Sequence, residues 1–185
     1  MKQSLQFVIV TMFFIICQSV AQQQSTSGES TELKLTPSAV REKLAFLVGN
    51  FTTETNMPAS PMLPKDGTGK GSCEISWALD SMFLLIDDKS SNSVFGTFNQ
   101  HGVLGYDAMN NQFTLSMFNN FGDRPSYKGN FVGDTLIMET KIPMPGRSFD
   151  QKILWYKDGD AVKLQVLNDM GKGFALTLEQ TAKRV

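Results

Sequence analysis

From residue 50 onward the chain alternates apolar and polar positions in short runs. Phe51, Thr53, Thr55 and Met57 alternate with Asn50, Thr52, Glu54 and Asn56, the period of two that marks a half-buried strand. The same phase returns in Cys73, Ile75, Trp77 and Leu79, in Tyr127, Gly129 and Phe131, and in Phe149, Gln151, Ile153 and Trp155. It returns again in Val162, Leu164 and Val166, and in Phe174, Leu176 and Leu178. Residues 82–86 are a continuous apolar run, and further strands are expected over 94–107, 112–119 and 135–142. Turn signals separate the runs: DDKSSN at 87–92, AMNN at 108–111, Val132-Gly133-Asp134, PMPG at 143–146 and MGKG at 170–173. Asp158-Gly159 is the strongest of them, since Asp-Gly supplies the positive backbone angles of a two-residue hairpin. Residues 57–67 are rich in proline, which cannot donate to a ladder, so the longest loop is expected there.

Upstream, Thr36-Pro37 reads as an N-cap followed by proline in the first helical turn. Val40, Leu44 and Leu47 recur at helical spacing, and Gly49 is placed to end the helix. Roughly ten short strands follow with no long crossover between them. The pattern predicts an all-β fold: an up-and-down antiparallel β-barrel of about ten strands preceded by one short N-terminal helix. Closure removes sheet edges that would otherwise invite aggregation, and a barrel of this size is wide enough for a ligand-sized cavity. A two-sheet sandwich is the alternative; even strand spacing and the lack of Greek-key-length connections favour the barrel.

The first residues change the picture of where the chain works. Lys2 precedes an apolar run from Leu5 to Val20, and Ser19-Val20-Ala21 presents small residues to a signal peptidase. Residues 1–21 are therefore expected to be a cleaved signal peptide, short of the roughly 20 apolar residues that span a bilayer. Residues 22–35 read as a flexible polar leader, and 36–185 as the barrel domain. Of the two cysteines, Cys17 falls in the signal peptide, leaving Cys73 without an internal partner. Stability must then come from a core. With 17 basic and 18 acidic residues and no basic run, nothing favours nucleic acid or an anionic membrane. The expected location is secreted or periplasmic, with no stable membrane span after signal cleavage.

LVGNF at 47–51, following a short helix, resembles the G-x-W opening of lipocalin-like barrels, with Phe51 at the tryptophan position. FGTFNQHGVLGYD at 95–107, then a strand and FGDRPSYKGNF at 121–131, resembles a bacterial family of lipocalin-like domains of unknown function. The resemblance runs over roughly residues 35–182 and implies a calycin-type barrel, often exported, with no established activity. Two departures limit what it carries. Fatty-acid-binding barrels place an Arg-x-Tyr pair on the last strands, where this chain has LTLEQTAK at 176–183. Haem-binding relatives use a histidine near the C-terminus, and here the one histidine is His101 in mid-chain. Neither ligand follows from fold alone.

Candidate chemistry is sparse. His101 is either a general base or axial ligand, or a strand-end histidine bonded to a turn; a bulge at Gly102 would shift its phase. Arg124 offers a planar fork to a carboxylate, and Tyr127 lies in the apolar phase of its strand with a hydroxyl to direct. The competing reading pairs Arg124 with Asp123 on the surface and leaves Tyr127 filling core. Met117, Phe131, Phe113 and Met138 would line an adaptable apolar pocket or fill a solid core. Trp77 and Trp155 are expected near the cavity, with Met57, Met62 and Leu63 of the Pro-rich loop as a lid over its mouth. Cys73 reads as a buried small hydrophobe with no cation beside it. One histidine and one cysteine are too few for a zinc site without carboxylates, and Asp87-Asp88 and Asp158-Gly159-Asp160 read as turns. No cofactor or metal is expected.

Three functions compete. The leading one is an exported lipocalin-like barrel holding a small apolar or amphipathic ligand. The second is a hydrolase or isomerase using His101 with Asp107 or Asp123, which requires His101 to face a pocket. The third is a protein-interaction module working through an exposed apolar patch.

Overall fold

The computed structural model describes residues 34–60 and 63–185. The expected signal peptide (residues 1–21) and nearly all of the expected leader (22–35) lie outside the described residues. Leu35, at the leader's end, belongs to the barrel: its N–H donates to Tyr106 Oη at 3.0 Å and its side chain packs against the core.

Helix α1 (Pro37–Leu44) starts as its sequence dictates. Thr36 is extended, and its hydroxyl accepts from the N–H of Ala39 at 3.3 Å, with Pro37 in the first turn. Arg41 and Lys43 occupy the last turn, where cations suit the helix C-terminus. The α-helix ends earlier than Gly49: a 3-10 turn (Ala45–Leu47) follows, and Gly49 opens the first strand at φ +148°. Arg184 accounts for this ending, since its guanidinium donates to the carbonyls of Val48 and Phe46 and lies over the Phe51 ring. The last strand thereby satisfies carbonyls that the 3-10 turn leaves open.

Ten strands follow: β1 (Gly49–Met57), β2 (Gly67–Ala78), β3 (Phe83–Asn92), β4 (Gly96–Asp107) and β5 (Gln112–Asn119). The second half comprises β6 (Ser126–Val132), β7 (Thr135–Met144), β8 (Arg147–Asp158), β9 (Ala161–Asp169) and β10 (Phe174–Arg184). Each pairs antiparallel with its neighbours in sequence, and β10 pairs with β1 to close the barrel. The up-and-down barrel with one preceding helix is the architecture the alternation predicts, and the sandwich is excluded.

Two local expectations are corrected. DDKSSN is not a turn: it forms the second half of β3, paired with β2 from Glu74 to Gly69 on one side and with β4 on the other. Pairing on both edges overrides the turn-like composition. In β10 the apolar alternation breaks, because the register with β9 shifts between Leu176 and Leu178. Thr177 takes up the extra residue and its hydroxyl donates to the carbonyl of Val166 at 3.0 Å. Leu178, Gln180 and Ala182 then continue the inner face, while Phe174 and Leu176 are exposed, with Lys152 Nζ 4.4 Å from the Phe174 ring centre.

The two ends of the barrel differ. At the end where β1 begins, α1 and its 3-10 turn plug the opening with Val40, Leu44 and Leu47, which pack with Leu84, Leu104, Phe113, Leu115, Leu136 and Trp155. Leu44 and Leu47 each contribute about 2 kcal/mol by leaving water. Between β6 and β7 the backbones approach so closely that a Cβ on Gly129 would overlap the carbonyl of Ile137. Gly159 holds φ +57° in the two-residue β8–β9 turn, as its sequence predicts. No helix among the described residues is long and apolar enough to cross a membrane.

Candidate functional site

Toward the opposite end the inner side chains stop meeting across the barrel. They leave a cavity of about 600 Å³, within the range that takes a small ligand. Its apolar wall is Met117, Ile153, Leu164, Val166 and Leu178, from β5, β8, β9 and β10. Each of these residues sits in the inward phase of its strand, which is why the alternation that builds the barrel also builds the pocket. At the mouth stand Met57, Phe95, Phe98 and the β5–β6 loop from Gly122 to Pro125. Phe121 packs on Phe95 and Phe98, at 6.2 and 5.9 Å between ring centres, so the entrance is an aromatic rim.

Polar groups converge on this cavity at two levels. Near the mouth, Tyr127 is 4% exposed and its hydroxyl donates to Gln151 Oε1 at 2.6 Å. Gln151 Nε2 in turn donates to Asn168 Oδ1 at 2.9 Å. Burial, and then the charge of Asp123, push the Tyr127 phenol up to about 12. Arg124 lines the mouth, is exposed, and forms no ion pair among the described residues; Asp123 accepts instead from Asn119 Nδ2 at 3.2 Å. Asn119 shapes the loop, its Oδ1 accepting from the N–H groups of Phe121 and Asp123.

Deeper, the floor is a layer of Asp88, Gln100 and Gln180. Asp88 is 7% exposed. Gln180 Nε2 donates to its Oδ2 at 3.0 Å, while Oδ1 has no hydrogen-bond partner among the described residues. Burial holds the carboxyl above the usual carboxylate range, and the Gln180 bond opposes that only in part. Beneath the layer a void of about 30 Å³ is bounded by Cys73, Ile75, Trp155 and Leu47. Cys73 is buried, and desolvation together with Asp88 and Asp87 pushes its thiol up to about 12, so it is the inert hydrophobe its surroundings suggested.

The sequence candidates thus divide. Arg124, Tyr127 and Met117 line the main cavity, and Trp155 lines only the small void below it. Trp77 packs against the core and does not line the cavity. Phe131 belongs to the plugged end, 5.4 Å from Phe113 and 6.4 Å from Phe46 between ring centres. Of the proposed lid, Met57 lines the cavity, Leu63 does not, and Met62 is outside the described residues.

His101 requires a correction. The register of β4 runs unbroken through Gly102 against both β3 and β5, so no bulge turns the histidine inward. Its side chain lies on the outer face, with Nδ1 2.8 Å from Oδ1 of its cross-strand neighbour Asp87. It meets neither Asp107 nor Asp123. Asp107 caps the β4–β5 turn, and Asn110 lowers its carboxyl below the ordinary range. A reaction inside the barrel therefore cannot use His101. Among the described residues, no group of three or more His, Cys, Asp or Glu is gathered closely enough to hold a metal ion.

Asp88 is the site residue that sequence reading missed. Extending the phase of Leu84 and Ile86 by two residues places it inward, opposite Cys73 on the inner face of β2. That signal was present beneath the turn-like composition.

A family model described as "Protein of unknown function (DUF1579)" matches residues 36–178. The chain belongs to this family. The matched span begins at the helix cap and ends within β10, so it covers the plug, the apolar cavity wall and both polar levels except Gln180. No curated protein matches the chain.

Proposed function

We propose that this member of the DUF1579 family is an exported, lipocalin-like barrel that binds a small apolar or amphipathic molecule in its interior. The observation that carries the reading is the cavity of about 600 Å³, apolar along β5, β8, β9 and β10 and supplied with a few placed polar groups. An interior built only for stability would be packed to the density of the plugged end, where Leu84, Leu104 and Leu136 are fully buried. The exposed aromatic rim of Phe95 and Phe121 gives an apolar ligand a path inward. Export rests on residues 1–21, whose charged start, apolar run and small-residue site have the pattern of a cleaved signal peptide.

Native mass spectrometry of freshly purified protein, with an absorption spectrum, tests the reading. A bound mass of lipid or amphiphile, removed by delipidation and restored by rebinding, is the expected result. Protein that carries no added mass and takes up no amphiphile under any condition contradicts it. The same mass reports the N-terminus: export requires a chain starting at Gln22 when the protein is made in its own host.

A further inference from the structure

The charges inside this barrel do not balance. The cavity is lined by two carboxylates and one guanidinium, Asp88, Asp123 and Arg124. Asp123 and Arg124 are exposed in the mouth loop, whereas Asp88 is 93% removed from solvent, the complement of its 7% exposure. No cation among the described residues answers it. On the strands around Asp88, Lys70, Lys89, His101 and Lys183 are exposed in outward phase, and Arg184 is engaged by the Val48 and Phe46 carbonyls at the plugged end. The other buried titratable groups lining the cavity and the void below it are Cys73, the cross-strand neighbour of Asp88, and Tyr127, which already bonds Gln151. Asp88 therefore lies at the floor of the cavity, below its apolar wall of Met117, Leu164, Val166 and Leu178, with Oδ1 unpartnered among the described residues.

A buried carboxylate is costly unless a cation pairs with it; Gln180 supplies one neutral hydrogen bond, and no cation among the described residues joins it. We propose that Asp88 is the head-group site of the cavity and that the ligand is an amphipathic amine. Its ammonium pairs with the Asp88 carboxylate, and its hydrocarbon tail lies along Met117, Leu164, Val166 and Leu178 toward the aromatic mouth. The proposal rests on the ligand-binding reading above and specifies it. An ammonium has three donors, and the side-chain oxygens of Gln100 and Ser90, which line the same cavity, are neutral acceptors for the other two. A fatty carboxylate entering head-first would meet like charge at Asp88. The selectivity is thus the reverse of one built on Arg124, which sits outside at the rim.

Three twelve-carbon probes differing only in the head group decide the matter: dodecylamine, dodecanol and dodecanoate, titrated calorimetrically at neutral pH into wild-type protein and Asp88→Asn. Dodecylamine is expected to bind wild type about tenfold or more tighter than dodecanol, with dodecanoate weakest. Asp88→Asn is expected to bring the amine down to the alcohol and leave the alcohol unchanged. Equal affinities for all three probes, or a preference for dodecanoate, overturn the amine assignment while leaving a ligand-binding barrel. An amine preference that survives in Asp88→Asn overturns the role of Asp88. If none of the three binds, the ligand-binding reading falls with it. Should the variant fail to fold, the order of the probes on wild type still decides.

Discussion

Gln180 on β10 reaches past β1 and β2 to Asp88 on β3, its Nε2 donating to the carboxylate at 3.0 Å. The two residues are 92 positions apart, and their bond joins non-adjacent strands across the barrel interior. It marks where the packed, plugged half gives way to the hollow one. One oxygen of Asp88 is held by this bond; the other is buried with no hydrogen-bond partner among the described residues.

Stability should therefore depend on the charge of Asp88. Its folded-state pKa is raised by burial, so the native chain holds this proton more tightly than the unfolded one. Stability is then greatest below the ordinary carboxylate value and falls as pH rises from there through the raised value, levelling off above it. Asp88→Asn removes this slope and is expected to stabilise the ligand-free protein at neutral pH by about 1–3 kcal/mol. Urea unfolding of both proteins across pH 4–8 checks it; a variant less stable than wild type at pH 7 contradicts it.

The Tyr127 phenol offers a second titration. It should ionise at about 12, visible as a late step in near-ultraviolet absorbance. With the folded value above the unfolded one, its contribution is intact below about 10 and is lost as pH rises through the folded value. Tyr127→Phe removes the late step, leaves Gln151 Oε1 without its donor, and should cost about 1 kcal/mol.

Gly129 tests the close approach of β6 and β7. Gly129→Ala forces a methyl into the space of the Ile137 carbonyl, which is backbone and cannot swing aside. A loss of about 2 kcal/mol or more is expected, read as a drop in Tm of roughly 4 °C or more. A Tm within a degree of wild type would show that the strands separate without cost.

Much of this fold was legible because the sheet repeats one rule. The inward phases of β1, β5, β6, β8 and β9 are all visible as apolar alternation, and Asp158-Gly159 makes its turn where composition says. The rule failed where a buried polar side chain or local geometry interrupts it. Asp88 breaks the apolar phase of β3, so composition reads as a turn what pairing on both edges holds as strand. In β10 the alternation of Phe174, Leu176 and Leu178 conceals a bulge, because outward Leu176 looks the same as an inward one until its register is known. Arg124 and Tyr127 were found from residue chemistry and strand phase. The mouth loops could not be placed from sequence, because their positions depend on contacts such as Asn119 with Phe121 and Asp123.

His101 gives a negative control. It is an exposed partner of Asp87 on the outer face, where ion pairs contribute between about 0 and 1 kcal/mol. His101→Ala should leave dodecyl-probe affinity unchanged and shift stability by no more than about 0.5 kcal/mol. A loss of binding in this variant would place the functional surface outside the barrel.

The hollow interior is the central claim, and filling it is the most direct test. Val166 lines the cavity on β9, between the Leu178 and Ile153 strands. Calorimetric titration of dodecylamine and dodecanol into wild type and Val166→Trp, with Tm recorded for each, measures whether the space is real and used. Saturable one-to-one binding to wild type, abolished in Val166→Trp with Tm held or raised, is the predicted result. Binding that persists in the filled variant would contradict the account.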